Sequence, residues 1–248
     1  MRDIGVVLLS LLFTTASVTA QTESKKGIGT SWTEVASLEA EATQLDSGSS
    51  QDLRIQKEIL HQKAMAAGGR LVEYYHPNAS SLAGDLPALA QLSDQILLVH
   101  VLKIYIRLNV PGNIVCIEYE MQVLRSWKGA SAPGDLVRVR IPAGSYSFPD
   151  GVQVLKVAKG LAPPRDGERH VVFLHKSSLI GENPSFELAG GGVQGAFLLA
   201  DAKSPPADGE ERLAEKVYPA YGMGWLAKNY SGLEVLALFR ELDYLTGK

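Results

Sequence analysis

The chain has 248 residues, of which 46% are hydrophobic and 21% charged, and its formal net charge is −3. This composition is typical of a folded protein that buries a substantial core. Because nucleic-acid-binding domains carry a marked basic excess, the near-neutral charge argues against nucleic acid as a partner.

Residues 1–20 have the pattern of a secretory signal peptide. A basic start at Arg2 precedes an uncharged apolar run from Ile4 to Phe13, and small residues end the segment at Ala20. The run is too short for a membrane-spanning helix, which needs about 20 residues. We therefore expect a mature chain that begins at Gln21, is secreted or periplasmic, and has no membrane span.

Export limits the functions that the chain can have, because ATP, reduced nicotinamides and genomic DNA are scarce outside the cytoplasm. We expect no cofactor. Cys116 is the only cysteine, so no intramolecular disulfide can form and stability must come from packing. Cys116 falls within a predicted strand, where a free thiol is usually a small buried hydrophobic group rather than a nucleophile.

Two helices are predicted before the β-rich region. The segment Ser31–Leu45 has apolar residues at helical spacing and a capping box formed by Ser31 and Glu34. A second helix is expected from about Asp52 to Ala67, ended by Gly68-Gly69. Its expected apolar side consists of Ile55, Ile59, Leu60 and Met65. We expect these helices to dock on the globular domain, with partner binding as the alternative.

At Asp94 the period of the apolar residues changes from 3.6 to 2, which indicates the start of the β core. Two runs alternate in opposite parity around the turn Val110–Asn113, whose proline and glycine suit a tight loop. The expected inward residues are Leu102, Ile104, Ile106 and Leu108 in the first run, and Val115, Ile117, Tyr119, Met121 and Val123 in the second. His100 shares the apolar parity of the first run and is expected in the core.

A four-residue loop that pairs Asn109 with Ile114 fixes the register of this hairpin. The expected pairs are Lys103 with Glu120, Tyr105 with Glu118, Leu102 with Met121 and Ile104 with Tyr119. Each polar residue then meets a polar or amphipathic one, and each apolar residue meets an apolar or aromatic one. A slip by one residue would place charges on the buried side, so the agreement supports this register.

Further strands follow at short intervals. They are predicted at Leu136–Ile141, with Arg138 and Arg140 outward, and at Val152–Val157, Val171–Leu174, Phe186–Leu188 and Val193–Leu199. This spacing favours a small closed or nearly closed antiparallel barrel. The glycines of the segment Gly190–Gly195 lead into a strand rather than a helix, so we expect a turn or bulge there rather than a phosphate site.

The end of the chain is predicted to be a surface loop followed by a helix. The loop starts after Asp201 and includes Ser204-Pro205-Pro206. Ser231 and Glu234 have capping-box spacing, and the helix is expected to stop near Gly247. Its expected apolar stripe is Val235, Leu238, Phe239, Leu242 and Leu245.

The predicted fold class is α+β, with a small antiparallel OB-like β-barrel flanked by N-terminal helices and a C-terminal helix. The expected divisions are a signal peptide at 1–20, a helical N-terminal region at 21–92, the barrel at 93–202, and the surface loop and C-terminal helix at 203–248.

The order of the segments in the barrel region resembles a domain found in many exported bacterial proteins of unknown function. It is also distantly similar to the netrin and metalloproteinase-inhibitor type of OB-fold barrel. The segments that carry the resemblance are Leu92–Val99, Val123–Gly129, Pro133–Val139, Asp166–Leu174 and Gly191–Phe197. The resemblance implies the fold and supplies no catalytic residue. Those inhibitors chelate zinc through an N-terminal cysteine, whereas this mature chain would start with Gln21, so inhibition by that mechanism is not expected.

No common catalytic or metal motif is found in the sequence, such as a nucleophile elbow or a His-Glu-Xaa-Xaa-His pattern. His170 and His175 are five residues apart in a predicted strand, so they should point to opposite faces. Glu168 and His170 could share a face, but two ligands make a weak metal site. We therefore expect no metal.

The strongest candidate for a ligand-binding surface is the polar face of the hairpin. Its residues are Lys103, Tyr105, Arg107, Glu118, Glu120 and Gln122. Basic and aromatic groups on a barrel face can bind an acidic peptide or a sugar chain. The alternative is a solvated surface that binds no ligand and carries cross-strand ion pairs, in which Glu120 neutralises Lys103.

The leading hypothesis is an exported, non-enzymatic binding module for a protein, peptide or glycan. One alternative is an exported hydrolase that uses Glu118, Glu120 or His170 as acid or base, and it requires a pocket where at least two of these groups converge. Another is a cell-envelope assembly factor that binds through the helix Asp52–Ala67.

Overall fold

The computed structural model describes residues 43–45, 51–108, 115–177, 185–200, 215–222 and 224–248. Within these ranges the protein is a mixed α+β structure in which strands predominate. The helices of the described part are α1 (Gln51–Ala66), α2 (Leu86–Leu92), α3 (Trp225–Tyr230) and α4 (Val235–Thr246), with a 3₁₀ turn at Ala79–Ser81. The expected signal peptide at 1–20 and most of the expected loop after Asp201 lie outside the described residues.

The strands of the described part form two sheets. In chain order they are β1 (Thr43–Leu45), β2 (Arg70–Tyr75), β3 (Gln95–Leu108), β4 (Val115–Lys128), β5 (Leu136–Ile141), β6 (Gly144–Ser147), β7 (Gln153–Ala158), β8 (Arg169–Lys176), β9 (Ser185–Leu188), β10 (Ala196–Ala200), β11 (Lys216–Pro219) and β12 (Leu233–Glu234). β2, β7 and β6 make the smaller sheet, and the other strands make the larger one.

The larger sheet contains a closed circuit of strand pairings. β3 pairs with β4, β4 with β5, β5 with β9, β9 with β8, and β8 returns to β3. All of these pairings are antiparallel except β5 with β9, which is parallel, so the expectation of a purely antiparallel arrangement is wrong. β10, β11 and β12 extend the sheet from β8, and β1 pairs in parallel with the far end of β3.

The hairpin of β3 and β4 has the predicted register near its turn. Lys103 lies opposite Glu120, Ile104 opposite Tyr119, and Tyr105 opposite Glu118. This part of the prediction is confirmed, because the alternation of apolar and polar residues in both strands permits only one register that buries the apolar face.

A bulge in β3 makes the prediction wrong beyond Lys103. Val101, rather than Leu102, lies opposite Met121, so Leu102 is the extra residue and the parity of β3 reverses there. Val99 and Val101 are therefore buried in the core, whereas His100 is only half-buried on the other face. The prediction that His100 is a core residue is wrong for this reason.

Two apolar cores lie on the two sides of the larger sheet. Inside the circuit, Tyr119, Met121 and Val172 belong to one buried cluster. On the opposite side, Phe173 of β8 and Leu238 of α4 belong to a second buried cluster, as the apolar stripe of the C-terminal helix predicts. Alternate residues of a strand point to opposite faces, so a central strand such as β8 serves both cores.

The ends of α4 follow the prediction only in part. Gly247 has a φ of 70° and ends the helix, as expected. Glu234 is the N-cap residue but makes no side-chain capping bond, and Ser231 instead follows the end of α3. The expected capping box of Ser231 and Glu234 is therefore wrong, because a short helix and strand occupy the segment before α4.

The smaller sheet packs against the far end of the hairpin. β7 was expected as a strand, whereas β2 and β6 carry little alternation and were not predicted. β7 pairs in parallel with β2 and antiparallel with β6. Residues from this sheet and from the hairpin share a buried cluster, with Ile106, Val115 and Val154 among its members.

Helix α1 begins and ends within one residue of the prediction and docks on the smaller sheet. The docked side differs from the expected one: Leu60 and the small Ala64 are buried, whereas Ile55, Ile59 and Met65 are exposed. Only Leu60 of the predicted apolar side contacts the core. A small residue at the contact lets the helix approach the sheet closely.

Two other predicted segments are shifted. The end of the expected helix Ser31–Leu45 is strand β1, and the remainder lies outside the described residues. The expected turn is confirmed, because Gly190, Gly191 and Gly192 all have positive φ. The turn region extends further than expected, and β10 begins at Ala196 rather than at Val193.

Gly195 should tolerate no side chain, because β8, β9 and β10 meet around it. An added Cβ would lie 2.3 Å from the carbonyl oxygen of Phe173 and 2.8 Å from the amide nitrogen of Ala189. We expect Gly195→Ala to reduce the free energy of unfolding by about 1–3 kcal/mol in urea denaturation. The matched control is Gly84→Ala, where an added Cβ meets nothing within 4 Å. Equal stability of the two variants would contradict this packing.

Candidate functional site

The predicted ligand-binding residues lie together on the outer face of β3 and β4. The neighbouring strand β5 adds Arg138 and Arg140 to this surface, because Glu120 pairs with Arg138 and Glu118 with Arg140. We call this surface the ionic face. Its residues are Lys103, Tyr105 and Arg107 of β3, Glu118, Glu120 and Gln122 of β4, and Leu136, Arg138 and Arg140 of β5. The intervening residues, such as Ile104 and Val139, are buried on the inner side.

Glu118 is a buried carboxylate held between two arginines. Its side chain is only 2% exposed. Arg140 Nε donates a hydrogen bond of 2.9 Å to Glu118 Oε2, and Arg107 Nε lies 3.1 Å from Glu118 Oε1. The second contact is an ion pair without hydrogen-bond geometry, since the buried Arg107 Nε has no hydrogen-bond partner in the described part. Glu118 thus joins three adjacent strands through charge.

Glu120 has a longer ion pair and a more exposed ion-pair partner than Glu118 has. Lys103 Nζ lies 3.6 Å from Glu120 Oε1, and the lysine side chain is 61% exposed against 18% for the glutamate. The predicted pairing of these two charges is confirmed. Arg138 is the other cross-strand neighbour of Glu120 and is exposed, and it makes no ion pair with any residue in the described ranges. The ionic face therefore keeps cationic groups that water can reach.

The charge network continues onto β9 and β8. Glu187 pairs with Arg140 across the strands, accepts a 2.7 Å hydrogen bond from Ser177 Oγ, and lies 3.6 Å from His175 Nε2. The close contact with His175 is the main cause that holds the pKa of Glu187 below its ordinary value. Burial opposes this shift, whereas the hydrogen bond from Ser177 and the charges of His175 and Arg140 add to it. This part of the surface is an internally neutralised network.

A second polar group lies inside the circuit. His170 alternates with Val172 and Leu174, so its side chain faces the inner core, and it is almost fully buried. His170 Nε2 lies 3.0 Å from Glu168 Oε2. The expectation that Glu168 and His170 share a face is confirmed by this contact, and His175 points outward as predicted.

Tyr119 joins this inner group, which the sequence did not indicate. Burial raises the pKa of the Tyr119 hydroxyl well above its usual value, and the charge of Glu168 raises it further. Tyr119 Oη and His170 Nδ1 are buried without a hydrogen-bond partner in the described part of the chain. Nowhere in the described ranges do three or more His, Cys, Asp or Glu residues lie close enough to hold a metal ion.

His170 does not converge with the two glutamates proposed for hydrolysis. Glu118 and Glu120 lie on the outer face of the sheet, whereas His170 points into the core on the other side. Glu118 and Glu120 share a face, but each of them is held in an ion pair with a basic residue of a neighbouring strand. Cys116 is buried, as expected, and burial raises its pKa to about 12, which makes the thiolate inaccessible at neutral pH.

A separate surface pocket of about 310 Å³ was not predicted, because it forms between segments that are distant in sequence. It lies between the ends of α2, α4, β3 and β4. Its lining residues are Pro87, Ala90, Gln91, Ile96, Trp127, Lys128, Leu245 and Thr246. Lys128 Nζ donates a 2.9 Å hydrogen bond to the carbonyl of Ala90 near the end of α2. The lysine at this pocket is thus committed to capping a helix.

Comparisons with protein-family models, with curated proteins and with solved structures return no match for this chain. Among the described helices, none is both long enough and apolar enough to cross a bilayer.

Replacement of Glu118 should destabilise the fold more than replacement of Glu120. Glu118→Gln leaves Arg107 and Arg140 close together without their shared anion, which we expect to cost about 2 kcal/mol, since the arginines keep some contact with water. Glu120→Gln should cost less than about 1 kcal/mol, because its ion pair is long and its lysine partner is exposed. Urea denaturation of both variants measures the difference. Equal losses, or a smaller loss for Glu118→Gln, would contradict the arrangement.

The carboxyl of Glu168 should make stability depend on acid pH. Burial opposes its ionisation, but hydrogen bonds from His170 and the Arg165 amide, with the charges of both residues, hold its pKa below the ordinary 4.5. Such a group stabilises the fold above its unfolded pKa, and this contribution is lost as pH falls through the folded value. Stability measured from about pH 6 to about pH 3 should decline less steeply in Glu168→Gln than in the unaltered protein. Parallel declines would show that Glu168 contributes nothing.

Proposed function

We propose that the protein is an exported, non-enzymatic binding module built on an OB-like barrel, of the exported bacterial type that the sequence resembles. The strand order supports this fold. In the sheet, β8, β3, β4 and β5 lie side by side in that order, which is the Greek-key arrangement, and β9 closes the circuit between β5 and β8. OB-folds are five-stranded Greek-key barrels.

The ionic face is the proposed ligand surface. OB-folds bind chains on the face of their second and third strands, which here are β4 and β5. One observation carries the proposal: Lys103 and Arg138 are accessible to water, whereas Glu118 is buried and Glu120 is mostly covered. A solvated face of balanced ion pairs would present both signs of charge equally. The imbalance favours a surface that meets a ligand.

The proposal includes a location outside the cytoplasm and a class of ligand. The segment 1–20 supports secretion or a periplasmic location, and the ligand is a protein, peptide or glycan. The acid–base alternative loses support, because its carboxylates are held in ion pairs on one side of the sheet and His170 lies on the other. Binding through α1 is a second candidate, which the exposure of Ile55, Ile59 and Met65 favours.

Capture of ligands from the native envelope tests the proposal. The bait protein is compared with a variant that combines Lys103→Gln and Arg138→Gln, with mass-spectrometric identification of what is retained. We expect at least a tenfold loss of the specific ligand, because both accessible cations are removed. The matched control combines Lys228→Gln and Arg240→Gln, two exposed cations of α3 and α4, and should retain the ligand.

Two outcomes would contradict the proposal. Undiminished capture by the variant at Lys103 and Arg138 would exclude the ionic face, and a loss with Ile55→Ser and Ile59→Ser instead would assign binding to α1. Turnover of peptide, ester or glycoside substrates that a point substitution abolishes would show that the protein is an enzyme.

A further inference from the structure

We propose that the ionic face binds an extended acidic peptide that carries an apolar side chain beside its carboxylates. This inference rests on the proposed function and assigns the class of ligand. It follows from four features of the face: the accessible charge, an exposed leucine next to that charge, a side-chain amide opposite the leucine, and the position of the single aromatic ring.

The accessible charge of the face is positive although the whole chain has a net charge of −3. Arg107 and Arg140 share the buried carboxylate of Glu118, and Lys103 lies 3.6 Å from Glu120. Arg138 is left exposed, with no ion pair to any described residue. A guanidinium in this state offers a planar pair of donors that matches a carboxylate, so an acidic side chain is its natural partner.

An apolar contact lies directly beside this arginine. Leu136 is 58% exposed and precedes Arg138 by two residues on β5, so the two side chains lie on the same face. Along a strand such neighbours are about 6.7 Å apart, and side chains on one side of an extended peptide have the same spacing. A peptide that runs along β5 can therefore place a carboxylate on Arg138 and an apolar side chain on Leu136.

Gln122 provides a polar side chain directly across from Leu136 on the neighbouring strand. It is the cross-strand partner of Leu136 and is half-buried. Its side-chain amide has both a donor and an acceptor, which suits the backbone of an extended peptide. The combination of charge, apolar surface and amide matches a peptide better than an inorganic anion, which would use the charge alone.

The aromatic content of the face argues against a sugar chain. Tyr105 is the one aromatic side chain in the ionic face, and it is half-buried with the guanidinium of Arg107 5.6 Å from its ring centre. Sugar rings usually bind on an exposed aromatic face, and the ring of Tyr105 already has a cation beside it. The face therefore has a site for carboxylates and an aliphatic group but no open platform for a sugar.

Binding of a labelled pentapeptide tests the inference. The probe has four glutamates around a central leucine, and fluorescence anisotropy with the purified chain measures its affinity at low salt. We expect at least tenfold weaker binding when the glutamates are replaced by glutamines, and severalfold weaker binding when the leucine is replaced by serine. Arg138→Gln should weaken binding at least fivefold, and Leu136→Ser should remove the advantage of the leucine.

The matched control is Arg240→Gln, which removes an exposed arginine from α4 and should leave the affinity unchanged. Circular dichroism verifies that the variants fold. Failure of the probe to bind, an affinity insensitive to Arg138→Gln, or tighter binding of oligogalacturonate than of the peptide would overturn the inference. Capture of a native ligand that depends on Lys103 and Arg138, without binding of the peptide, would refute the ligand class alone and leave the binding module in place.

Discussion

The ion cluster around Glu118 holds three strands of the larger sheet together and sets the charge of the ionic face. A carboxylate that is 2% exposed is stable only if its charge is compensated, and Arg107 and Arg140 provide that compensation from the two adjacent strands. The cluster joins β3, β4 and β5 on their outer side, opposite the apolar core. It also removes one of the two carboxylates of the face from contact with water. The same interaction thus supports the sheet and leaves the accessible charge positive.

The fold was predictable where the sequence pattern has a single solution. The register of Lys103 with Glu120 follows from alternation, since any slip would bury charge. The bulge at Leu102 could not be predicted, because one extra residue reverses the parity without changing the composition of the strand. The short strands β2 and β6 lack alternation, because the two faces of each strand are buried to a similar extent: most of β2 is half-buried, and three successive residues of β6 are buried. The side of α1 that docks on the sheet could not be predicted from its large apolar residues, because the contact is made by the small residue Ala64 together with Leu60.

The candidate site was predictable as a surface but not as a charge distribution. The hairpin pattern placed its polar residues on one face, and Arg138 and Arg140 were expected to point outward from β5. The pattern did not predict that β4 and β5 pair side by side, and this pairing brings Arg140 to Glu118. Inside the circuit, the contact of Glu168 with His170 followed from their spacing, whereas the approach of Tyr119 depends on the closure of the strands and has no local signal.

A double-mutant cycle between Glu118 and Arg140 measures how strongly the buried carboxylate and this arginine stabilise one another. The free energy of unfolding is measured for Glu118→Gln, for Arg140→Gln and for the protein with both changes. If the two charges stabilise one another across β4 and β5, the losses are not additive and the coupling energy exceeds about 1 kcal/mol. Losses that add to within about 0.4 kcal/mol would contradict this coupling and show that the buried carboxylate is independent of Arg140.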